Sequence, residues 1–95
     1  MARYEGLFAI RPDLSQEDNQ KVVVKIEEQI TKAGGVIESS QEWGRRTLAY
    51  TIRKKREGNF HLLHFQVTSQ ALDTLKRSYR LNESILNSLI TKLED

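Results

Sequence analysis

Ninety-five residues and 11.0 kDa fit one domain, residues 1–95, whose thin core leaves little room for a deep catalytic cavity. The chain is 38% apolar and holds no cysteine, which excludes disulfide frameworks, thiol catalysis and Cys-ligated zinc. No apolar run approaches the ~18 residues of a membrane span and no signal-peptide pattern is present, so a soluble protein with no membrane partner is expected. The lack of cysteine fits a reducing, cytoplasmic setting. The net charge of +2 conceals an asymmetry. Residues 45–56 hold six of the fifteen basic residues and no acid, leaving nine basic against thirteen acidic groups elsewhere, a net of −4. An acidic body with a concentrated basic segment is the pattern of a polyanion binder.

Arg3 to Ile10 alternates as a strand, with Tyr4, Gly6, Phe8 and Ile10 on one face and Glu5, Leu7 and Ala9 on the other. Ser15-Gln16-Glu17-Asp18 resembles a capping box, and Val22, Val23, Ile26, Ile30 and Ala33 follow at helical spacing before Gly34-Gly35 stops the helix. Val36 to Lys54 reads as one long strand bent near Gly44. Glu57-Gly58-Asn59 is the expected turn of a hairpin whose return strand runs from Phe60 to Val67. Thr68-Ser69 opens a second helix with Leu72, Leu75 and Tyr79 on its buried stripe. Ile85, Leu86, Leu89, Ile90 and Leu93 fit helical spacing better than alternation. The preceding order strand–helix–strand–strand–helix nevertheless lacks only a closing strand to complete a split βαβ sandwich, and a strand is expected there.

Catalytic apparatus is absent from this pattern. His61 and His64, three apart on a strand, point to opposite faces and cannot chelate one metal together. No Gly-rich phosphate loop opens a helix, and no base is placed to activate a nucleophile. A protein without enzymatic activity, cofactor, metal or small-molecule substrate is expected. Arg45 and Arg46 flank the bend, and Arg53, Lys54, Lys55 and Arg56 crowd the hairpin, so both ends of one strand offer cations to phosphates. Trp43, Tyr50 and Phe60 lie close by and offer rings to unpaired bases. Core packing is the competing expectation for Tyr50 and Phe60.

The stretch Glu42-Trp43-Gly44-Arg45-Arg46-Thr47-Leu48-Ala49-Tyr50-Thr51-Ile52 resembles the signature of the family of the sixth protein of the bacterial small ribosomal subunit. Arg3-Tyr4-Glu5, Pro12 and Tyr79-Arg80-Leu81-Asn82-Glu83 agree with it, so the similarity spans essentially the whole chain. Thr51 stands where the family commonly has proline, and Asn59 where it commonly has an aromatic; neither change removes a charge. The resemblance implies an α+β, ferredoxin-like βαββαβ sandwich, with a four-stranded antiparallel sheet and two helices on one face. It also implies a structural protein that binds the central domain of small-subunit ribosomal RNA together with ribosomal protein eighteen. By position it points to Arg3, Arg45, Arg46 and Tyr50 as RNA contacts, to which electrostatics adds Arg53 to Arg56. The uncovered sheet face, with Leu7 and Leu62, and the neighbouring Trp43 are the expected partner contacts. The long second strand is a further docking edge.

Two other readings share the strand order. An RNA-recognition-motif module would echo its aromatic signatures in Leu7-Phe8-Ala9-Ile10 and Gly58-Asn59-Phe60, but Phe8 belongs to the face expected to meet the helices. An acylphosphatase-like enzyme would need a phosphate-cradling loop after the first strand. Arg11-Pro12-Asp13 offers instead a proline without an amide donor and a repelling carboxylate.

Overall fold

Alternation along the first strand carries through to three dimensions. Tyr4, Phe8 and Ile10 are buried under two helices, whereas Leu7 on the reverse face is half-buried. The chain, a computed structural model, is described over residues 1–93; positions 94 and 95, the end of the expected domain, lie outside the described residues. Its elements are β1 (Ala2–Ile10), α1 (Gln16–Lys32), β2 (Val36–Ile52), β3 (Lys55–Val67), α2 (Ser69–Leu81) and β4 (Ile85–Lys92). The sheet order is β2-β3-β1-β4 with every pairing antiparallel, which is the ferredoxin-like arrangement expected.

Local chemistry explains where each helix starts. The Ser15 hydroxyl accepts the Asp18 amide at 3.1 Å, and Glu17 and Asp18 sit in the first turn where the helix dipole favours negative charge. Thr68 caps α2 in the same way through the Ala71 amide at 3.2 Å. Val23, Ile26 and Ile30 from α1 meet Leu72, Leu75 and Tyr79 from α2 over Phe8, Leu63, Phe65 and Val67 of the sheet. Both helices therefore cover one face, and the reverse face has no helix over it.

The final segment is a strand despite its helical spacing. Pairing with β1 from Tyr4↔Lys92 to Ile10↔Ile85 satisfies the outer backbone groups of β1, which no helix could do. Ile85 is buried in the core, while Leu89, directly opposite Leu7, stays on the uncovered face.

The hairpin differs from the expectation. The chain reverses at Arg53-Lys54, with Ile52 paired to Lys55, and not at Glu57-Gly58-Asn59. Both tip residues have positive φ, 49° and 67°. Gly58 instead lies inside β3, paired with Arg46 and buried against Ala9 and Leu48. Gly58 is an interior strand residue, and the turn is made by residues that carry no turn signature. Because β1 ends opposite Asn59, the β2–β3 ribbon overhangs the sheet beyond that point. The bend near Gly44 is a bulge: the register shifts between Glu42 and Gly44, and Gly44 has a φ of 80°.

Candidate nucleic-acid interface

The bulge and the overhanging ribbon set the site. At Gly44 the left-handed backbone lets β2 gain a residue, so Arg45 and Arg46, though adjacent, serve different neighbours. The Arg46 guanidinium lies over the Trp43 ring, 5.0 Å from its centroid, and its Nε donates to the Trp43 carbonyl at 3.5 Å. The Arg45 guanidinium donates to the Pro12 carbonyl at 2.8 Å and faces Glu57 at 4.0 Å. Arg46 is thus a cation presented on an aromatic plate, and Arg45 a cation held toward the end of β1.

At the tip, Arg53 donates to the Glu83 carbonyl at 3.1 Å, reaching across to the loop after α2. Lys55 Nζ stands 3.4 Å from Asp13, whose other partner is Arg11 at 2.7 Å. The hydrogen bond from Arg11, reinforced by Lys55, holds the Asp13 carboxyl down at about 2, so it is ionised at any physiological pH. Lys54 and Arg56 are exposed, and neither makes a hydrogen bond or ion pair among the described residues. Tyr50 is 69% exposed, against the expectation of core packing for a strand ring. It lies on the overhanging part of β2, past the point where β3 stops pairing with β1. Phe60 is half-buried and pairs with Ala9 of the uncovered face, so it also stands outside the main core.

Arg3 is set apart from this group. It pairs with Gln66 at the opposite end of β3 from the tip, and its Nε binds Glu38 at 3.1 Å. That bond, joined by one from Gln66, lowers the Glu38 carboxyl. Two basic residues that the sequence reading passed over join the tip instead: Arg11 and Arg80 line a 480 Å³ pocket with Arg53 and Lys55. Both lie far in sequence from the basic run, and only the fold brings them to it.

The uncovered face brings together Leu7 and Leu62, two of the three expected partner contacts; Trp43 lies at the β2 bulge. Leu7 lies between Leu62 of β3 and Leu89 of β4, and Leu89 is 63% exposed. Beside them runs a polar chain: Ser39 Oγ is 3.1 Å from His64 Nδ1, and His64 Nε2 is 3.0 Å from Glu5. His61 points to the other side, where Ser40 Oγ meets its Nε2 at 2.6 Å. The two histidines are on opposite faces as expected, and no cluster of three metal-ligating side chains exists among the described residues.

Residues 3–92 match the family model of ribosomal protein S6. The chain belongs to the ribosomal protein S6 family. It is 38% identical to the small ribosomal subunit protein bS6 of Moorella thermoacetica over 95 residues, covering 100% of this chain and 97% of that one. It is 40% identical to bS6 of Clostridium acetobutylicum over 94 residues, with 99% of each chain covered. The crystal structure of 30S ribosomal protein S6 from Thermotoga maritima superposes with a TM-score of 0.90 at 27% identity, covering 97% of this chain and 87% of that chain.

Membership of the S6 family makes the chain a structural, non-enzymatic component of the small ribosomal subunit, working in the cytoplasm as part of it. The acylphosphatase-like reading falls with that assignment. The recognition-motif reading loses its main ring as well, because Phe8 is fully buried, edge-on to Tyr79 at 5.1 Å between centroids. No helix among the described residues is long and apolar enough to cross a membrane.

Proposed function

We propose that this S6-family protein binds the central domain of small-subunit ribosomal RNA jointly with ribosomal protein eighteen, contacting phosphates through the overhanging basic ribbon. The observation that carries this reading is the placement of Arg46, Lys54 and Arg56 on a two-stranded projection beyond the last pairing with β1, with Arg53 and Lys55 where that projection meets the body. Cations on a projection can approach a phosphate backbone without the body of the domain intervening. Arg45 acts on the same ribbon, Tyr50 adds an exposed ring, and Arg3 supplies a separate contact at the far end of the sheet. Leu7, Leu62 and Trp43 meet the protein partner on the uncovered face and the β2 edge, where unpaired backbone groups invite another strand.

The test is a titration of a transcript of the central-domain junction, with and without ribosomal protein eighteen. If about four to six phosphates are neutralised, log K falls against log salt with a slope of roughly −3 to −5. Replacing Arg45 and Arg46 together by Ala flattens that slope by about one to two units. A folded Leu62→Asp variant loses pairing with the partner. Linkage requires the RNA to tighten the protein–protein contact by the factor with which the partner tightens RNA binding. An unchanged slope in the double variant, or equal pairing with and without RNA, overturns this reading.

A further inference from the structure

Three segments distant in sequence meet in the notch between the overhanging ribbon and the end of α2. Arg11 comes from the end of β1, Arg53 and Lys55 from the hairpin, and Arg80 from the last turn of α2; together they line a 480 Å³ pocket with Leu81 and Glu83. The notch is braced at both sides. Arg53 crosses it to the Glu83 carbonyl at 3.1 Å, and the Arg11 amide donates to the Ser84 carbonyl at 2.9 Å.

The charges do not cancel. Four cations face one lining carboxylate, Glu83, and a second behind them, Asp13, which Arg11 and Lys55 share. Arg80 is exposed and makes no side-chain hydrogen bond or ion pair among the described residues. Arg53 spends one N–H group on Glu83, leaving the rest of its five donors available. The carbonyls at the end of α2 add partial negative charge, which Arg80 offsets from the last turn. Leu81, 75% exposed on the same wall, gives an apolar shelf beside the cations. A phosphate flanked by a sugar matches this combination of forked donors and apolar shelf.

We propose that the notch seats a phosphodiester of the RNA backbone, with Arg80 and Arg53 as its donors and Leu81 against the adjoining ribose. The notch shares Arg53 and Lys55 with the ribbon, so a strand leaving the ribbon reaches it without a break. This inference rests on the RNA-binding reading above and adds a contact that the basic run alone does not contain. The RNA is then gripped from the ribbon into the body of the domain.

The experiment compares full-length wild type, Arg80→Gln, Arg80→Glu and the Arg45→Ala/Arg46→Ala pair on the same junction transcript across a salt series. Arg80→Gln is expected to weaken binding roughly tenfold and to flatten the salt slope by about 0.9, as the loss of one phosphate contact requires. Arg80→Glu weakens it further. A benzophenone side chain at position 81 cross-links to the RNA in the wild-type background, a readout that a purely structural role for Arg80 does not move. If Arg80→Gln binds with unchanged affinity and slope while the Arg45/Arg46 pair is weakened, the notch is overturned and RNA binding stands. If wild type itself shows no binding to the transcript, with or without ribosomal protein eighteen, both are overturned.

Discussion

The hydroxyl of Tyr79 donates to the backbone carbonyl of Ile26 at 2.9 Å, and this buried hydrogen bond ties α2 to α1 over the sheet. Burial raises the phenol well above its ordinary range, which favours the protonated donor. Tyr79→Phe keeps the edge-on contact with Phe8 and removes only the hydroxyl. It is expected to cost about 1–2 kcal/mol in urea unfolding, and Tyr79→Ala about 3–5 kcal/mol. Equal losses for the two variants would show the hydrogen bond, not the ring, to be the whole contribution.

His61 makes stability depend on pH. Burial lowers its pKa, against smaller opposing effects of Glu27 and Glu42. The unfolded chain therefore takes up a proton near the ordinary value of 6.5 while the folded chain does not. Stability from this residue is fully present above that pH and is lost as pH falls through the lower, folded value. His61→Gln, which can still meet Ser40, should remove this part of the decline; chemical denaturation at closely spaced pH values measures it.

Two glycines should respond oppositely to a methyl group. At Gly35 an added Cβ would stand 2.7 Å from the Gln66 carbonyl and 2.9 Å from that of Ile30, both backbone and unable to yield cheaply. Gly35→Ala is expected to cost about 1–3 kcal/mol. At Gly58 the nearest atoms are 3.4 Å away, so Gly58→Ala should stay within about 1 kcal/mol of wild type. Thermal unfolding of the pair separates them.

The plate under Arg46 is expected to matter more to binding than to folding. Trp43 is 38% exposed, and its cation–π contact is worth about 0.5–1 kcal/mol at such a site. Trp43→Leu should leave stability within about 1 kcal/mol of wild type. It should also lower RNA affinity without changing the salt slope, since no cation is lost. A flattened slope would mean that the ring chiefly sets where Arg46 points.

The elements were legible because burial imposes its period on the sequence. Val23, Ile26 and Ile30 are buried at helical spacing, and Tyr4, Phe8 and Ile10 on one side of a strand. The last strand was legible only through topology, because its spacing answers to two masters: Ile85 and Ile90 meet the core while Leu89 belongs to the open face. The hairpin turn was hidden, since Arg53-Lys54 is not a turn sequence and the nearby glycine lies inside β3. The basic run was visible as composition. Its union with Arg11 and Arg80 was not, because those contacts depend on where α2 ends relative to the ribbon.

The hairpin tip sets foldability against charge. A two-residue turn with both φ angles positive is the natural place for Asn-Gly, and an ordinary side chain there costs about 1–2 kcal/mol per residue. Arg53 and Lys54 occupy it nonetheless. Replacing them with Asn and Gly should stabilise the isolated protein by about 1–2 kcal/mol, read from urea unfolding, while weakening its hold on RNA. The tip is thus a point of local frustration, where the sequence best for folding and the sequence best for a polyanion diverge. A ribbon optimised only for its own stability would present a neutral tip.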